Sequence, residues 1–307
     1  MPLTSRPAVE ATKGQADRRR RRWHFGRLGF VALWGLTSIS SVLSHAGEDA
    51  PRIASRSKES SNPNLTAPAT RRSEADEHPV ARAQRMIVDC QTRFADVRDY
   101  TCTFHKRERI NGQLTAPYAM ALKARNQPMS IYFKFHRPNK GREAIYVAGR
   151  NQGRVVAHDV GLGRILAGTM YLDPRGSMAM EGTLHPISEA GLGNLINTVA
   201  HHWTRELTPE ESVVHIDPNM RIGAVGCTMI ESIHPAKQPR FLFHKVRLFI
   251  DHEHGLPVRF EAYDWPKRPG AAPDLMEEYV YMDLKLNVGL SDLDFDPSNK
   301  AYAFGRF

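Results

Sequence analysis

Apolar residues recur at helical spacing in two parts of the chain. The first spans residues 79–97, and Pro79 occupies the first helical position, where its missing N–H is not needed. The second spans residues 186–206, with Pro186 at its start. The apolar residues are Val80, Ala83, Ile87, Phe94 and Val97 in the first stretch, and Ile187, Leu192, Leu195, Ile196, Val199 and Trp203 in the second. The pattern predicts two helices, each with one apolar face that packs against the fold.

The remainder of the chain after residue 97 is dominated by the alternation of apolar and polar residues that is typical of β-strands. Asn111-Gly112 is a two-residue turn signal and predicts a hairpin between the first two strands. The predicted strands are residues 100–104, 114–124, 129–135, 143–147, 154–159, 213–216, 227–233, 241–251, 258–264 and 278–286. The fold class predicted is α+β, mainly β: a large curved antiparallel sheet or half-barrel of about ten strands with two covering helices.

The N-terminal residues have the layout of an export signal. An unbroken arginine run, Arg18 to Arg22, precedes a moderately apolar stretch over residues 28–43, and Ser44-His45-Ala46 follows as a small-x-small site. We expect a signal peptide over residues 1–46, cleaved after Ala46. The alternative is an uncleaved signal anchor, because the apolar stretch is close to the lower length limit for a membrane span.

Two further segments complete the predicted organisation. Residues 47–77 are rich in Ser, Pro, Arg, Asn and Glu and hold few large apolar residues, which predicts a disordered linker. Residues 78–307 then form a single domain. A cleavable signal predicts a periplasmic or otherwise exported bacterial protein, and it leaves open whether export follows the general secretory or the twin-arginine route.

Composition and charge exclude several classes of protein. With 41% hydrophobic and 24% charged residues, the chain is neither collagen-like nor wholly disordered. Its net charge is +9, but residues 1–46 hold eight basic and two acidic residues and so carry most of it. The case for a nucleic-acid partner is therefore weak. No apolar run of 18 residues lies beyond the first fifty, which excludes a polytopic membrane protein.

The cysteines allow two interpretations. Cys90, Cys102 and Cys227 are too few for a disulfide scaffold, although an oxidising compartment permits one bridge. Cys102 and Cys227 lie in strand-like contexts and are the favoured pair; the alternative is three buried small apolar side chains. The chain contains no C-x-x-C spacing, so neither a thioredoxin-like site nor a zinc knuckle is predicted.

The sequence contains few residues that indicate metal binding or catalysis. Asp251, His252 and His254 are the best metal candidate, but a polar β-turn is the more ordinary explanation, and neither a metal site nor a cofactor is predicted. Gly-x-Ser-x-Gly does not occur, and Glu277 and Glu278 point to opposite faces if they lie in a strand, which argues against a glycosidase pair. The sequence therefore predicts no catalytic residue and no enzyme.

Basic residues cluster in two neighbouring segments of the predicted sheet. Either they line one rim and attract lipid head groups or a polyanionic polymer, or they are charged strand ends that prevent edge pairing. These residues are Lys106, Arg107, Arg109, Lys134, Arg137, Lys140 and Arg142.

Several stretches resemble known families. Lys106-Arg-Glu-Arg-Ile-Asn-Gly, Lys140-Gly-Arg-Glu-Ala-Ile-Tyr-Val, Leu172-Asp-Pro-Arg-Gly-Ser-Met-Ala-Met and His185-Pro-Ile-Ser-Glu-Ala-Gly-Leu resemble the exported bacterial family called domain of unknown function 1571. The C-terminal Gly255-Leu-Pro turn and the final Asp294-Phe-Asp resemble the lipoprotein-carrier fold of LolA, LolB and MucB (RseB). The resemblance implies a periplasmic half-barrel with an apolar concave face. It implies neither a ligand nor a catalytic residue.

These observations lead to a functional hypothesis. We expect a non-enzymatic periplasmic binding or carrier protein for an apolar or amphipathic, lipid-like ligand, with contact to a membrane surface as a further possibility. The alternative is an envelope interaction or sensor module without a ligand cavity. The oligomeric state stays open. The predicted ligand-binding residues are Met178 and Met180 in a flap, and Leu192, Leu195, Ile196, Val199 and Trp203 on the second helix.

Overall fold

The computed structural model describes residues 77–160 and 168–305. The predicted signal peptide and nearly all of the predicted linker lie outside these residues. The helices are α1 (Pro79–Phe94) and α2 (Leu192–Glu206). The strands are β1 (Asp99–Ile110), β2 (Gln113–Leu114), β3 (Tyr118–Arg125), β4 (Ser130–Arg137), β5 (Glu143–Val147), β6 (Val155–His158), β7 (Thr169–Leu172), β8 (Val213–Ile222), β9 (Val225–Ile233), β10 (Lys245–Asp251), β11 (Pro257–Tyr263) and β12 (Leu275–Leu286).

All strands within the described ranges join one antiparallel sheet, which confirms the predicted architecture. Its order is β7-β6-β5-β4-β3-β1-β12-β11-β10-β9-β8, and the short β2 pairs with β1 outside this path. The first and last long strands are therefore neighbours at the centre of the sheet. This pairing brings residues about 170 positions apart in the sequence, such as Glu108 and Glu277, directly opposite each other.

The predicted hairpin is confirmed at its turn. Asn111 and Gly112 both have positive φ, 52° and 83°, as a two-residue turn between twisted strands requires. The strand before the turn is longer than predicted, because β1 continues to Ile110. The predicted strand after it, residues 114–124, is broken into β2 and β3 around Pro117, and the sequence analysis did not predict β7.

Both helices cover one face of the sheet, which we call the inner face. Strand alternation directs Tyr100, Cys102 and Phe104 of β1 to this face, where they join Ile87 of α1 and Ile196 of α2 in one core. The two helices also contact each other: the Gln84 side chain donates a hydrogen bond to the Trp203 carbonyl at 3.0 Å. None of the helices in the described ranges is both long enough and apolar enough to cross a membrane.

The second helix begins six residues later than the predicted start at Pro186. Residues 187–189 form a short 3-10 turn, and Gly191 has a φ of 104°, which is incompatible with a helix. Gly191 also allows a close approach, because a Cβ there would lie 2.9 Å from the Tyr100 hydroxyl. That hydroxyl accepts the Leu192 N–H at 2.7 Å and so fixes the start of α2. The first helix likewise ends at Phe94, before the predicted Val97.

The predicted Cys102–Cys227 disulfide is wrong, and the alternative of three buried thiols is confirmed. Cys102 faces the inner core, whereas Cys227 packs with Phe249 and Val258 in a separate cluster on the opposite, outer face. The sheet itself separates the two sulfur atoms. Burial raises the pKa of the Cys90 thiol to about 12, so this side chain is held in the protonated form.

Candidate binding site on the inner face of the sheet

The predicted site residues of α2 lie together on the inner face. Leu192, Ile196, Val199 and Trp203 are buried in the inner core, and Leu195 is half-buried against it. The two flap methionines are not part of this core: Met178 is 62% exposed and Met180 is half-buried.

A charged cluster lies on the same inner face, at the centre of the sheet. Strand alternation from Phe104 directs Lys106 and Glu108 inward, and Glu277 and Tyr279 of β12 lie opposite them in register. Glu108 is 1% exposed and Glu277 is 3% exposed. We call Lys106, Glu108, Glu277 and Tyr279 the inner charged cluster. The sequence analysis placed only Lys106 in a candidate site, the basic rim, and did not connect it with the other three.

The members of the cluster bind one another. Lys106 Nζ donates to Glu108 Oε2 at 3.0 Å. The Tyr279 hydroxyl lies 2.9 Å from Glu108 Oε1 and 3.1 Å from Glu277 Oε2. Because this hydroxyl has one proton, it donates to one carboxylate at a time.

One chain segment closes over the cluster. We call residues 182–190 the latch segment, and three consecutive members of it contact the cluster. Lys106 Nζ donates to Thr183 Oγ1 at 2.7 Å, and the Leu184 N–H donates to Glu108 Oε2 at 2.9 Å. His185 Nε2 lies 3.1 Å from Glu277 Oε2. The latch segment is thus attached to the sheet through polar contacts rather than through apolar packing alone.

Electrostatics favour the charged forms of Glu108 and His185 and the neutral form of Tyr279. Burial opposes ionisation of Glu108, but the positive charges of Lys106 and His185 and the Leu184 N–H outweigh it, so the pKa of Glu108 is lowered. Burial also opposes protonation of His185, but the neighbouring Glu277 outweighs it and raises the pKa of the imidazole. Burial beside two carboxylates raises the pKa of Tyr279 well above its usual value of 10.0. Lys106, and His185 when it is protonated, thereby balance the two carboxylates.

Aromatic rings surround the cluster. Tyr279 stacks with Phe104 at 6.0 Å and with Phe260 at 5.9 Å between ring centroids, and Lys106 Nζ lies 5.3 Å from the centre of the Tyr118 ring. Other apolar side chains around the inner core stay partly exposed. They include Tyr118, Phe135, Ile187, Leu195 and Phe243. The inner face therefore combines a polar centre with an apolar, partly accessible margin.

The basic residues do not form one rim. Lys106 faces inward, whereas Lys134 points to the outer face and pairs with the buried Glu143 at 3.3 Å. Arg142 pairs with Asp159 through two hydrogen bonds, at 2.8 and 2.9 Å.

The candidate metal residues bind separate partners. His254 Nδ1 lies 2.7 Å from Asp251 Oδ2, whereas His252 Nε2 lies 3.1 Å from Thr228 Oγ1. Across residues 77–160 and 168–305, no group of three or more His, Cys, Asp or Glu side chains has an arrangement suited to a metal ion.

Comparison with known proteins gives one family and several distant structures. The family model described as "Protein of unknown function (DUF1571)" matches residues 97–304. None of the curated proteins matches the chain. A DUF1329 family protein from Desulfovibrio piger is 11% identical, with 72% of this chain and 98% of that chain covered and a TM-score of 0.33. A putative outer membrane lipoprotein-sorting protein domain from Vibrio parahaemolyticus is 12% identical over 71% and 97%, with a TM-score of 0.31. The lipoprotein LppX of Mycobacterium tuberculosis is 10% identical over 70% and 99%, with a TM-score of 0.40.

Proposed function

The chain belongs to the DUF1571 family, and from this premise we propose that it is a non-enzymatic binding or carrier protein for an amphipathic, lipid-like ligand. The observation that carries the proposal is the inner charged cluster in an otherwise apolar and aromatic face. Ligand sites are mostly apolar and contain a few placed polar groups that fix the orientation of the ligand. The inner face has this composition.

Stability alone is a weak explanation for the cluster. Removing charges from water is costly, and a buried ion pair is often no more stabilising than apolar residues of similar volume. Glu108 and Glu277 lie at positions where an antiparallel sheet normally directs apolar side chains into its core. A polar group retained at such a position is better explained by a role in binding.

The latch segment supplies a route to this face. Its contacts with Lys106, Glu108 and Glu277 are hydrogen bonds and one ion pair, which the polar group of an entering ligand can replace when the segment opens. Release of these contacts would uncover the cluster and the neighbouring rings. Met178, exposed just before the segment, is the first apolar side chain that an entering ligand would meet.

The nearest arrangement to a hydrolytic triad favours a structural role. Ser212 Oγ lies 3.2 Å from His234 Nδ1, and His234 Nε2 lies 3.9 Å from Glu206. The serine is buried, accepts the Thr208 N–H at 3.3 Å and bonds the Glu206 carbonyl at 3.4 Å. These contacts close the turn after α2 and leave the hydroxyl poorly placed to attack a substrate.

We further propose that the protein acts outside the cytoplasm. The support is the predicted signal over residues 1–46. Intact-mass analysis of the protein from its own host tests this. A mass that corresponds to a chain beginning at Gly47 supports export with cleavage, and the mass of the full-length chain contradicts cleavage.

Co-purification tests the binding function. The protein is purified from its own host without detergent, and native mass spectrometry and organic extraction are applied. We expect a bound amphiphile in the wild type and reduced occupancy in Met178→Asp, with a nearly unchanged melting temperature because Met178 is exposed. Absence of any bound molecule in the wild type would contradict the proposal and favour an interaction module whose inner face is only a core.

A further inference from the structure

We propose that the polar end of the ligand is a cationic amine, which binds Glu277 in the place that His185 occupies when the latch segment is closed. This inference rests on the proposed function and names the chemical class of its ligand. Its basis is the distribution of charge between the sheet and the latch segment.

The charges of the closed site come from two parts of the chain. The sheet contributes two carboxylates, Glu108 and Glu277, and one ammonium group, Lys106. The latch segment contributes His185, whose imidazole supplies the compensating positive charge when it is protonated. When the segment leaves, the sheet retains one uncompensated negative charge, and a ligand that enters must supply the missing positive charge.

That negative charge falls on Glu277. Glu108 keeps Lys106 at 3.0 Å without the latch segment, and it shares the single proton of the Tyr279 hydroxyl, at 2.9 Å, with Glu277. Glu277 keeps only the Tyr279 hydroxyl, at 3.1 Å from Oε2, and its Oε1 accepts no hydrogen bond from the residues that the structure describes. Glu277 is 3% exposed while His185 covers it. A ligand that encloses this carboxylate again without supplying a cation would leave a buried, unpaired charge, so Glu277 favours a ligand with a cationic donor.

The rings beside Glu277 also suit a cation. The imidazole of His185 lies edge-on to the Tyr279 ring at 6.2 Å, and Tyr279 stacks on Phe260. A cation near aromatic faces gains electrostatic attraction, and the gain is larger when water is excluded. The closed structure thus already places one imidazole, a cation when protonated, between a carboxylate and an aromatic ring.

An anionic end group fits less well. Lys106 already donates to Glu108 and Thr183, so its charge is neutralised within the cluster. An entering carboxylate or phosphate would lie next to two buried carboxylates and be repelled by them.

Three probes of equal chain length separate the end group from the apolar chain: dodecylammonium, dodecanoate and dodecanol, each below its aggregation concentration. Affinities are measured by isothermal titration calorimetry on the purified wild-type protein. We expect dodecylammonium to bind at least about tenfold tighter than dodecanoate. Because the chain carries a net positive charge with or without residues 1–46, nonspecific attraction would give the opposite order.

Two glutamates provide matched variants. Glu277→Gln should abolish the preference for dodecylammonium. Glu278→Gln makes the same change of charge one residue away, on the outer face where Glu278 pairs with Arg259, and should retain the preference. His185→Gln removes the competing cation and should strengthen dodecylammonium binding several-fold. If Glu277→Gln fails to fold, the affinities of His185→Gln and of the wild type for the three probes test the amine assignment.

The outcomes separate the two proposals. Equal affinity for the three probes would overturn the amine assignment and leave the binding function intact. Tighter binding of dodecanoate, or an equal loss of preference in both glutamate variants, would also overturn the amine assignment. Binding of none of the probes would overturn both proposals.

Discussion

Replacement of His185 by glutamine should remove a pH dependence from the stability of the latch segment. In the folded protein, Glu277 raises the pKa of His185 above its ordinary value of 6.5. A group whose pKa is raised on folding binds protons more tightly in the folded state. Its contribution is therefore complete below the unfolded pKa and is lost as the pH rises through the folded pKa. The latch segment should weaken on the alkaline side of neutrality.

The size of the expected pH effect follows from the contact between His185 and Glu277. His185 bonds Glu277 at 3.1 Å, and its side chain is 19% exposed, so solvent screens the pair only partly. A hydrogen bond to a charged group contributes about 1.5–3 kcal/mol, which corresponds to about a tenfold to hundredfold change in an opening equilibrium. The other charged or titratable groups near His185 are Glu108, Lys106, Glu189 and Tyr279. Tyr279 stays protonated through pH 9 because its pKa is raised.

Amide hydrogen exchange measures the opening of the latch segment directly. The Leu184 N–H donates to Glu108 and reports opening of the segment next to His185. Between pH 6 and pH 9, after correction for intrinsic exchange, its protection should fall about tenfold or more in the wild type and stay nearly constant in His185→Gln. His202→Gln, in the pair of His202 with Glu206 on α2, is the matched control and should behave as the wild type. Parallel pH profiles of wild type and His185→Gln would refute the reasoning.

Three further predictions concern the core and the thiols. Ile196→Ala should lower the free energy of unfolding by about 2–5 kcal/mol because Ile196 is 1% exposed, whereas Met178→Ala should change it by less than about 0.5 kcal/mol. Urea denaturation of both variants measures these changes, and similar values for the two would show that α2 lies outside the core. Gly193→Ala should lower the melting temperature despite the higher helix propensity of alanine, because the new Cβ would lie 2.6 Å from the Phe94 ring; a rise would show that the ring yields freely. Cys90, with a pKa of about 12, should react with iodoacetamide at pH 8 only after unfolding in urea, and rapid labelling of the native protein would contradict its burial.

Much of the fold follows from local patterns in the sequence. Alternation and the Asn111-Gly112 turn identify the antiparallel strands, because both act between residues close in sequence. The start of α2 was missed because the interruption at Gly191 depends on a tertiary contact with the Tyr100 hydroxyl. The disulfide prediction was wrong because residue type does not reveal which face of the sheet a cysteine occupies.

The inner charged cluster was also missed, although part of its signal was present. Extending the alternation of Tyr100, Cys102 and Phe104 by two further steps assigns Lys106 and Glu108 to the inner face. The predicted strand ends at Phe104, before both of these residues. The pairing of β1 with β12 and the return of His185 to Glu277 join residues far apart in the chain, and no local pattern indicates them.

Photo-crosslinking tests most directly whether the inner face of the sheet binds an amphiphile. A twelve-carbon amphiphile with a diazirine near the end of its chain is bound to the protein and irradiated, and the labelled residues are mapped by mass spectrometry. We expect the labelled residues to be partly exposed side chains around the inner core, such as Tyr118, Phe135, Ile187, Leu195 and Phe243. Labels confined to the outer face, around Phe249 or Tyr302, or spread evenly over the surface would contradict it.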